Sequence, residues 1–321
     1  MKTFFLSLGV VLLVLFGFYL YRQPSESPFK NPISETSPLR IGLILRTSTN
    51  PLYRNIEEGA RLAETALDIR LIVKTGTSET SVMQQIDIVQ RCIDENVNAI
   101  VITPVGSEIL PILKRANDKG IPIVLVENPL QQELLKEYEL DHLPFIGIDN
   151  EIASQEAAFE LAKCLQEPAD ALIIEGNPFN ESSRQRAKGA KDVFSSHPMI
   201  RQVYSEYGSY SIETAKKSVE KMMNEHPSIR LIFSINDMMA IGAYQYVKEN
   251  NRHDIFILSV DGTSFSKDLF EQDEIAVVLD QNAKQQGFEA IRTAEKMTRM
   301  DMSSYVRFVQ YEILSSIHHL K

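Results

Sequence analysis

The chain has 321 residues, of which 44% are hydrophobic and 24% charged, which is enough for one large or two medium globular domains. Its net charge of −10, without a cluster of Lys and Arg, argues against a nucleic-acid-binding protein of the usual basic kind. The two cysteines, Cys92 and Cys164, are too few for a disulfide scaffold or a zinc ribbon, and we expect both to be small buried side chains of helices.

The first element in chain order is an uncharged, mostly apolar stretch at residues 4–21. It is long enough to cross a bilayer, which takes about 20 apolar residues. The stretch ends without a small-residue cleavage site or a cysteine for lipidation, which favours an uncleaved membrane anchor in residues 1–22. A signal peptide that is removed after export remains the alternative. Residues 23–38 are rich in proline and serine and are expected to form a tether.

From Leu39 onward, short apolar strands alternate with amphipathic helices, which is typical of a parallel sheet covered by helices on both faces. A first series ends with a strand at 144–148, and a second series follows it. The expected strands are 40–45, 70–74, 99–103, 121–126, 144–148, 171–175, 202–206, 230–234, 255–260, 275–279 and 305–314. The predicted fold class is therefore α/β, with two doubly wound, Rossmann-like lobes and a ligand cleft between them.

Several motifs, taken in order, resemble the periplasmic sugar-binding proteins of the ribose/galactose-binding type. Their fold is shared by the ligand-binding core of lactose-repressor-family regulators. The motifs are I-G-L-I-L-R-T-S-T-N-P-L-Y from Ile41, V-N-A-I-V-I-T-P from Val97, G-I-P-I-V from Gly120, F-I-G-I-D-N from Phe145, S-S-R-Q-R-A-K-G from Ser182, F-S-I-N-D-M-M-A-I-G-A from Phe233 and S-V-D-G-T from Ser259. Each motif is weak alone, but together they span nearly all of residues 39–314.

The resemblance implies two lobes, joined by three hinge crossings, that close over a small carbohydrate or polyol. It places the crossings near residues 148–149, near 280–281 and near 307–310. The N-terminal lobe would comprise residues 39–148 and 282–308, and the C-terminal lobe residues 149–281 and 309–321.

The resemblance also implies a set of ligand-binding residues at strand ends: Arg46, Asn50, Tyr53, Glu127, Asn128, Arg184, Tyr210, Asn236, Asp261 and Gln281. Amide, carboxylate and guanidinium groups suit sugar hydroxyls, and an aromatic ring suits the C–H face of a sugar. Glu127 and Asn128 replace the Asp-Arg pair of many ribose-type relatives, which puts ribose in doubt, and Leu52 replaces a stacking aromatic. Arg186 and Lys188 are expected on solvated helix faces.

Five of these positions have a structural alternative that the sequence leaves open. Asn50 has the position of a helix N-cap, and Arg46 could form an ion pair with Glu127 or another carboxylate. Glu127 and Asn128 could form a solvated turn, and Tyr210 could pack beneath its loop.

The sequence thus predicts a membrane-anchored extracytoplasmic receptor in a single-pass arrangement, with its binding domain in the periplasm or outside the cell. We expect no cofactor and no metal, because the histidines lack metal-ligand spacing. We expect no enzyme, because hydrolase, nucleotide-binding and zinc-protease motifs are missing from the sequence. The partner would be the permease of an ABC importer or a sensor histidine kinase. A soluble secreted transport subunit and a sugar-processing enzyme are the alternatives.

Overall fold

A computed structural model describes residues 38–299 and 306–316 of the chain. The strands are β1 (Arg40–Leu45), β2 (Arg70–Thr75), β3 (Ala99–Ile102), β4 (Ile123–Val126), β5 (Phe145–Gly147), β6 (Ala169–Glu175), β7 (Ile200–Tyr207), β8 (Ile229–Ser234), β9 (Phe256–Asp261), β10 (Val277–Asp280), β11 (Val306–Phe308) and β12 (Glu312–Ser315). The α-helices are α1 (Pro51–Leu67), α2 (Val82–Asp94), α3 (Leu110–Asp118), α4 (Gln132–Glu137), α5 (Asn150–Ala162), α6 (Glu181–Ser196), α7 (Ile212–Glu225), α8 (Asp237–Glu249), α9 (Ser264–Glu271) and α10 (Ala283–Arg299).

Within the described ranges the strands form two sheets. The first has the order β11-β5-β4-β3-β1-β2 and is parallel throughout. The second has the order β12-β10-β9-β8-β6-β7 and is parallel except for the edge strand β12, which runs antiparallel to β10. The reversal of strand order inside each sheet confirms the predicted doubly wound α/β fold.

The chain passes between the two sheets between β5 and α5, between β10 and α10, and between β11 and β12. All three passages fall where the resemblance places hinge crossings, the third between Phe308 and Glu312. The prediction of one continuous last strand at 305–314 is wrong, because β11 pairs with β5 in the first sheet and β12 pairs with β10 in the second. An apolar pattern reports burial but not the neighbour that provides it, so it cannot show a strand changing sheets. The residue ranges of the two lobes stay a prediction.

Strand β1 shows why the sheet interiors are apolar on both faces. Ile41, Leu43 and Leu45 point into one buried cluster, beneath α1 and α10, while Ile44 points into the other, beneath α2 and α3. Alternate residues of a strand face opposite sides, so a strand with helices on both sides needs an uninterrupted apolar run. The run 41–45 supplies it, and the first polar residue, Arg46, marks the carboxyl edge of the sheet.

Helix α10 returns to the first sheet after the second sheet is complete, and it packs on α1 at two glycines. A Cβ atom on Gly59 would lie 1.8 Å from the carbonyl oxygen of Lys284, and one on Gly287 would lie 2.0 Å from that of Ile56. The two helix backbones are therefore in direct contact, which only glycine permits at these positions. This contact fixes the helix that leads out of the second crossing.

The predicted anchor and nearly all of the predicted tether lie outside the described residues. None of the helices in the described ranges has the length and apolar character needed to cross a bilayer. Cys92 and Cys164 are both buried, as predicted, and both are free thiols.

Candidate ligand-binding site

The carboxyl edges of the two sheets face a cavity of about 20 Å³, which has room for about one water molecule. The first sheet and α1 contribute Arg46, Asn50, Leu52, Tyr53, Glu79 and Glu127 to its wall. The second sheet and its helices contribute Asn180, Ser182, Ser183, Arg186, Tyr210, Ile235, Asn236 and Asp261. The cavity is small because these polar side chains pair with one another across the cleft.

Arg46 follows β1 and Glu127 follows β4, two strands separated in the sheet by β3 alone. The Arg46 guanidinium lies 3.4 Å from Glu127 Oε2, donates a 2.9 Å hydrogen bond to the carbonyl oxygen of Pro104, and sits over the Tyr53 ring. Both charged side chains are 4% exposed. The ion-pair alternative for Arg46 is therefore realised, and the pair faces the cleft.

The second cationic group of the cleft is Arg186, on α6. It is 4% exposed and donates to Glu127 (3.2 Å), Asp261 (3.4 Å), the Asn150 side chain (2.7 Å), Gln281 (3.3 Å) and the carbonyl oxygen of Ile235 (3.0 Å). The five-donor fork of a guanidinium is used almost completely here.

Two predictions about α6 are wrong. Arg184, expected to bind ligand, is exposed and pairs with Glu181 on its own helix, and Arg186, expected in solvent, is buried in the cleft. The cause is helix geometry, because residues two apart point to nearly opposite sides. Ser182, Ser183 and Arg186 lie on one buried stripe, a spacing that was visible in the sequence. Lys188 is exposed, as predicted.

Asp261 ends β9 and is 1% exposed. It accepts hydrogen bonds from Gln281 (2.8 Å), Arg186 and the backbone N–H of Asp237. Burial raises the pKa of Asp261 well above its ordinary value, the neighbouring Asp237 carboxylate adds to the rise, and Arg186 opposes it. The structure thus brings Asp261 and Gln281 together as predicted.

Asn236 and Asp237 open α8 immediately after β8. The Asn236 side chain caps the helix by accepting from Met239 N at 3.0 Å, and Asn236 also lines the cavity. Asp237 is buried and accepts from Ser259, Ser266 and the backbone of Thr263. The Asp237 carboxylate therefore ties the end of β8 to the turn after β9, where Asp261 lies.

Glu127 and Asn128 are 3% and 0% exposed, which rules out the solvated-turn alternative for them. The Asn128 amide donates to the carbonyl oxygen of Pro104 at 2.8 Å, and its oxygen accepts from the backbone N–H (2.9 Å) and hydroxyl (2.6 Å) of Ser182. Asn128 thus joins the end of β4 to the first turn of α6. Its oxygen is used between the two lobes, its amide is used within the first lobe, and the residue does not line the cavity.

Asn50 and Tyr53 converge on a carboxylate that the sequence analysis missed, Glu79. The Asn50 oxygen caps α1 through Leu52 N at 3.0 Å, while its amide donates to Glu79 Oε1 at 2.8 Å. The Tyr53 hydroxyl donates to Glu79 Oε2 at 3.2 Å. Glu79 follows β2, so the rule that marked polar residues after other strands could have found it.

Tyr210 lines the cavity from the loop after β7, and its ring lies directly on Gly176, where a Cβ would fall 2.3 Å from the ring. Burial raises the pKa of Tyr210 to about 12, and burial raises that of Tyr53 well above its ordinary value. The predicted aromatic is thus in the wall of the cleft and also packed beneath its loop, so both readings of Tyr210 describe part of its position.

Three residues of the site have backbone conformations that non-glycine residues rarely adopt. The φ angles are 67° at Glu127, 122° at Asp261 and 54° at Tyr210. Such strain persists where surrounding contacts hold it and is common at functional sites. All three residues follow or end a strand at the cleft, which supports this cavity as the functional one.

A larger cavity of about 760 Å³ lies beside the first crossing and β11. Its wall combines apolar side chains such as Leu130 and Phe308 with separate carboxylates such as Asp149 and Glu181. This second cavity is the larger of the two, but buried hydrogen-bond donors and acceptors of both sheets converge in the cleft. We take convergence as decisive, because specific recognition of a polar ligand needs placed polar groups.

The cleft can bind an uncharged, hydroxyl-rich molecule by exchanging its internal hydrogen bonds for bonds to that molecule. Paired guanidinium and carboxylate groups offer both donors and acceptors to neighbouring hydroxyls. The described ranges hold no group of three or more metal-ligating side chains suited to an ion.

Comparison with known proteins agrees with this interpretation of the cleft as a ligand-binding site. The family model described as "Periplasmic binding protein domain" matches residues 41–299. The D-ribose/D-allose-binding protein of Pseudomonas aeruginosa is 30% identical over 262 residues, which cover 80% of this chain and 82% of that protein. The ribose import binding protein of Escherichia coli is 22% identical over 260 residues, which cover 81% of this chain and 84% of that protein.

Solved structures are similar over nearly their whole length. A periplasmic solute-binding protein of an ABC transporter from Actinobacillus succinogenes, with bound D-allose, has a TM-score of 0.82 at 27% identity. The similarity covers 86% of this chain and 97% of that one. A solute-binding protein of an ABC transporter from Burkholderia multivorans also has a TM-score of 0.82, at 26% identity, covering 87% and 100%.

Proposed function

We propose that this chain, which belongs to the periplasmic binding protein family, is an extracytoplasmic receptor that closes on one small sugar or polyol. The observation that carries the proposal is the cluster of Arg46, Glu127, Arg186 and Asp261, whose side chains come from both lobes and meet in one cleft. Burying charged groups costs free energy because they lose their hydration. We therefore interpret this buried cluster as a feature that is retained for recognition.

The relatives support a pentose or hexose as the ligand. The relative from Pseudomonas aeruginosa is named for D-ribose and D-allose, and the structure from Actinobacillus succinogenes holds D-allose. Glu127 and Asn128 differ from the Asp-Arg pair of ribose-type relatives, and Asn128 is used between the lobes. We therefore propose a sugar other than ribose, held by Asn50, Tyr53, Glu127, Tyr210, Asn236 and Asp261, with Arg46, Arg186 and Gln281 fixing the carboxylates.

Closure would follow from contacts that ligand makes to both lobes. A ligand bound to one lobe gains further contacts only when the other lobe approaches, so its affinity is higher for the closed state. The ratio of closed to open molecules shifts according to the difference in binding free energy between the two states. Such a receptor signals that ligand is bound by changing its conformation and does not alter the ligand chemically. The relatives named above are named as binding proteins, two of them for import or an ABC transporter.

We propose delivery to an ABC importer as the output, because the relatives are named as import or ABC-transporter binding proteins. A second output, signalling through a sensor kinase, is favoured by the apolar stretch at residues 4–21 if it remains as an anchor. Affinity capture from detergent-solubilised membranes separates the two. Permease subunits among the captured proteins support import, a kinase supports sensing, and neither leaves both outputs without support. The intact mass of the membrane-bound protein shows whether residues 1–22 are retained.

The ligand proposal is tested by thermal unfolding of the purified chain with a panel of pentoses, hexoses and inositols. A sugar at about a hundred times its Kd adds about 2.7 kcal/mol to the free energy of unfolding. We expect one sugar class to raise the melting temperature, and we expect Asp261→Asn to abolish the rise. The exposed variant Lys188→Ala is the matched control. A chain that responds to no member of the panel would contradict the proposal.

A further inference from the structure

One carboxylate in the wall of the cleft, that of Glu79, lies outside the charge pairs described above. Arg46 pairs with Glu127, and Arg186 pairs with both Glu127 and Asp261. Glu79 receives hydrogen bonds from two neutral donors, Asn50 and Tyr53, and it has no ion pair within the described ranges. Three cavity-lining carboxylates therefore face two guanidinium groups.

The loop that carries Glu79 is held in place on the first sheet. Thr77 donates to the Gln84 side chain from both its backbone N–H and its hydroxyl, each at 2.9 Å. Thr77 also forms a β-bridge with Thr47, and Gly76 N donates to the carbonyl oxygen of Leu45 at 3.3 Å. The carboxylate is therefore oriented before any ligand arrives, which is the condition for a selective contact.

The hydrogen bonds of Glu79 leave part of its acceptor capacity toward the cavity. An ionised carboxylate has about four lone-pair sites, and Asn50 and Tyr53 occupy one on each oxygen. Burial raises the pKa of Glu79 above its ordinary value, and the guanidinium of Arg46 opposes that rise. A ligand group that donates to this carboxylate and carries positive charge would balance the excess carboxylate of the cleft.

We propose that Glu79 is a ligand-contacting residue that determines specificity, favouring a sugar with a protonated amine over the neutral sugar of the same ring. The inference rests on the proposed sugar-binding function and narrows its ligand class. Asn50 and Tyr53 then act partly as positioning residues, because they fix the carboxylate that meets the amine.

The test measures Kd by calorimetry for the purified chain with matched pairs of sugars at a pH where the amine is protonated. The probes are D-glucosamine, D-galactosamine and D-mannosamine, each beside its neutral parent hexose, with D-allose and D-ribose added. We expect at least one amino sugar to bind about tenfold more tightly than its parent, the size of one charge-assisted hydrogen bond. Glu79→Gln, which keeps shape and removes charge, should abolish that preference.

Ser78→Ala, on the same loop, is the matched control and should keep the preference, since Ser78 bonds Thr80 and lies outside the cavity wall. Equal affinities of the wild type for amino and neutral sugars, or unchanged affinities in Glu79→Gln, would overturn this inference and leave the sugar-receptor function standing. Failure of the wild type to bind any probe would count against the receptor function and this inference together. The melting temperature of each variant shows that it is folded.

Discussion

Arg184 and Arg186 are two residues apart on α6, yet Arg184 is exposed to solvent and Arg186 is buried in the cleft. Arg46, Glu127, Arg186 and Asp261 form ion pairs with one another, so removing one of these side chains leaves its buried partners with less neutralising charge. Arg186 serves two carboxylates, Glu127 and Asp261, and is the side chain on which most of the network depends.

Arg186→Gln should lower the free energy of unfolding by about 3–5 kcal/mol, because it leaves the buried Asp261 carboxylate without a cation and Glu127 with Arg46 alone. Arg184→Gln should change it by less than about 0.5 kcal/mol, because Arg184 is exposed. Urea unfolding of the two variants measures both values. Similar losses in the two variants would contradict the assignment of Arg186 to the cleft.

Tyr210 should make stability depend on pH in the alkaline range. Burial raises its pKa to about 12 from an unfolded value of about 10. The folded chain therefore keeps a proton that the unfolded chain releases, and the free energy of unfolding falls as pH rises from about 10 to about 12. Below about pH 10 the residue should contribute no slope.

Urea unfolding over this pH range, compared between the wild type and Tyr210→Phe, isolates the contribution of the phenol from that of the lysines. We expect the difference in stability between the two proteins to change with pH above about pH 10 and to be flat below it. A difference that stays constant up to about pH 12 would show that Tyr210 ionises as freely in the folded chain as in the unfolded one.

Helices pack on the sheets mainly through apolar stripes, but α1 and α10 also touch through their backbones. The contact points are Gly59 and Gly287, each facing a carbonyl oxygen of the other helix. Alanine is normally better than glycine inside a helix by about 1 kcal/mol. At Gly59 and Gly287 we expect the opposite order, because the facing carbonyl oxygen leaves no space for a methyl group.

Gly287→Ala should destabilise the protein by about 1–3 kcal/mol, because the added methyl group overlaps the Ile56 carbonyl and forces the helices apart. Lys284→Ala on the same helix, where the side chain is exposed, is the control and should be nearly neutral. The melting temperatures of the two variants check the prediction. A stabilised Gly287→Ala would mean that helix propensity outweighs the contact.

The two lobes of the whole molecule are joined by three passages of the chain and, at the cleft, by direct hydrogen bonds. Asn128 accepts two hydrogen bonds from Ser182, and Glu127 pairs with Arg186. These bonds join the end of β4 to α6 without any contribution from a ligand. In the proposed closure mechanism, these bonds would favour the closed arrangement over the open one.

Asn128→Ala should shift the purified chain toward the open arrangement. It removes the acceptor of two Ser182 hydrogen bonds and leaves buried donors unpaired, at a cost of about 1–3 kcal/mol for each such group. Small-angle X-ray scattering should show a larger radius of gyration than for the wild type, with Lys188→Ala as the control. A radius equal to that of the wild type would mean that other contacts hold the lobes closed.

The fold class and nearly every strand follow from the sequence alone, because a strand between two layers of helices must be apolar on both faces. The family resemblance, together with the carboxyl edges of the strands, placed Asn50, Glu127, Asn236, Asp261 and Gln281 at the cleft. The sequence did not register α9, a helix of eight residues without a side-chain N-cap bond. Short helices carry little periodic signal, because they complete only about two turns.

Only the tertiary structure decided which polar residues meet. Glu79 joins the site because β2 lies beside β1, and Asn128 turns away from the cavity because Ser182 approaches it from the other lobe. The last strand divides because each half finds its partner in a different sheet. Hydrophobic patterning records whether a residue is buried, whereas charges and hydrogen-bonding groups select particular neighbours, and those are fixed only when distant parts of the chain come together.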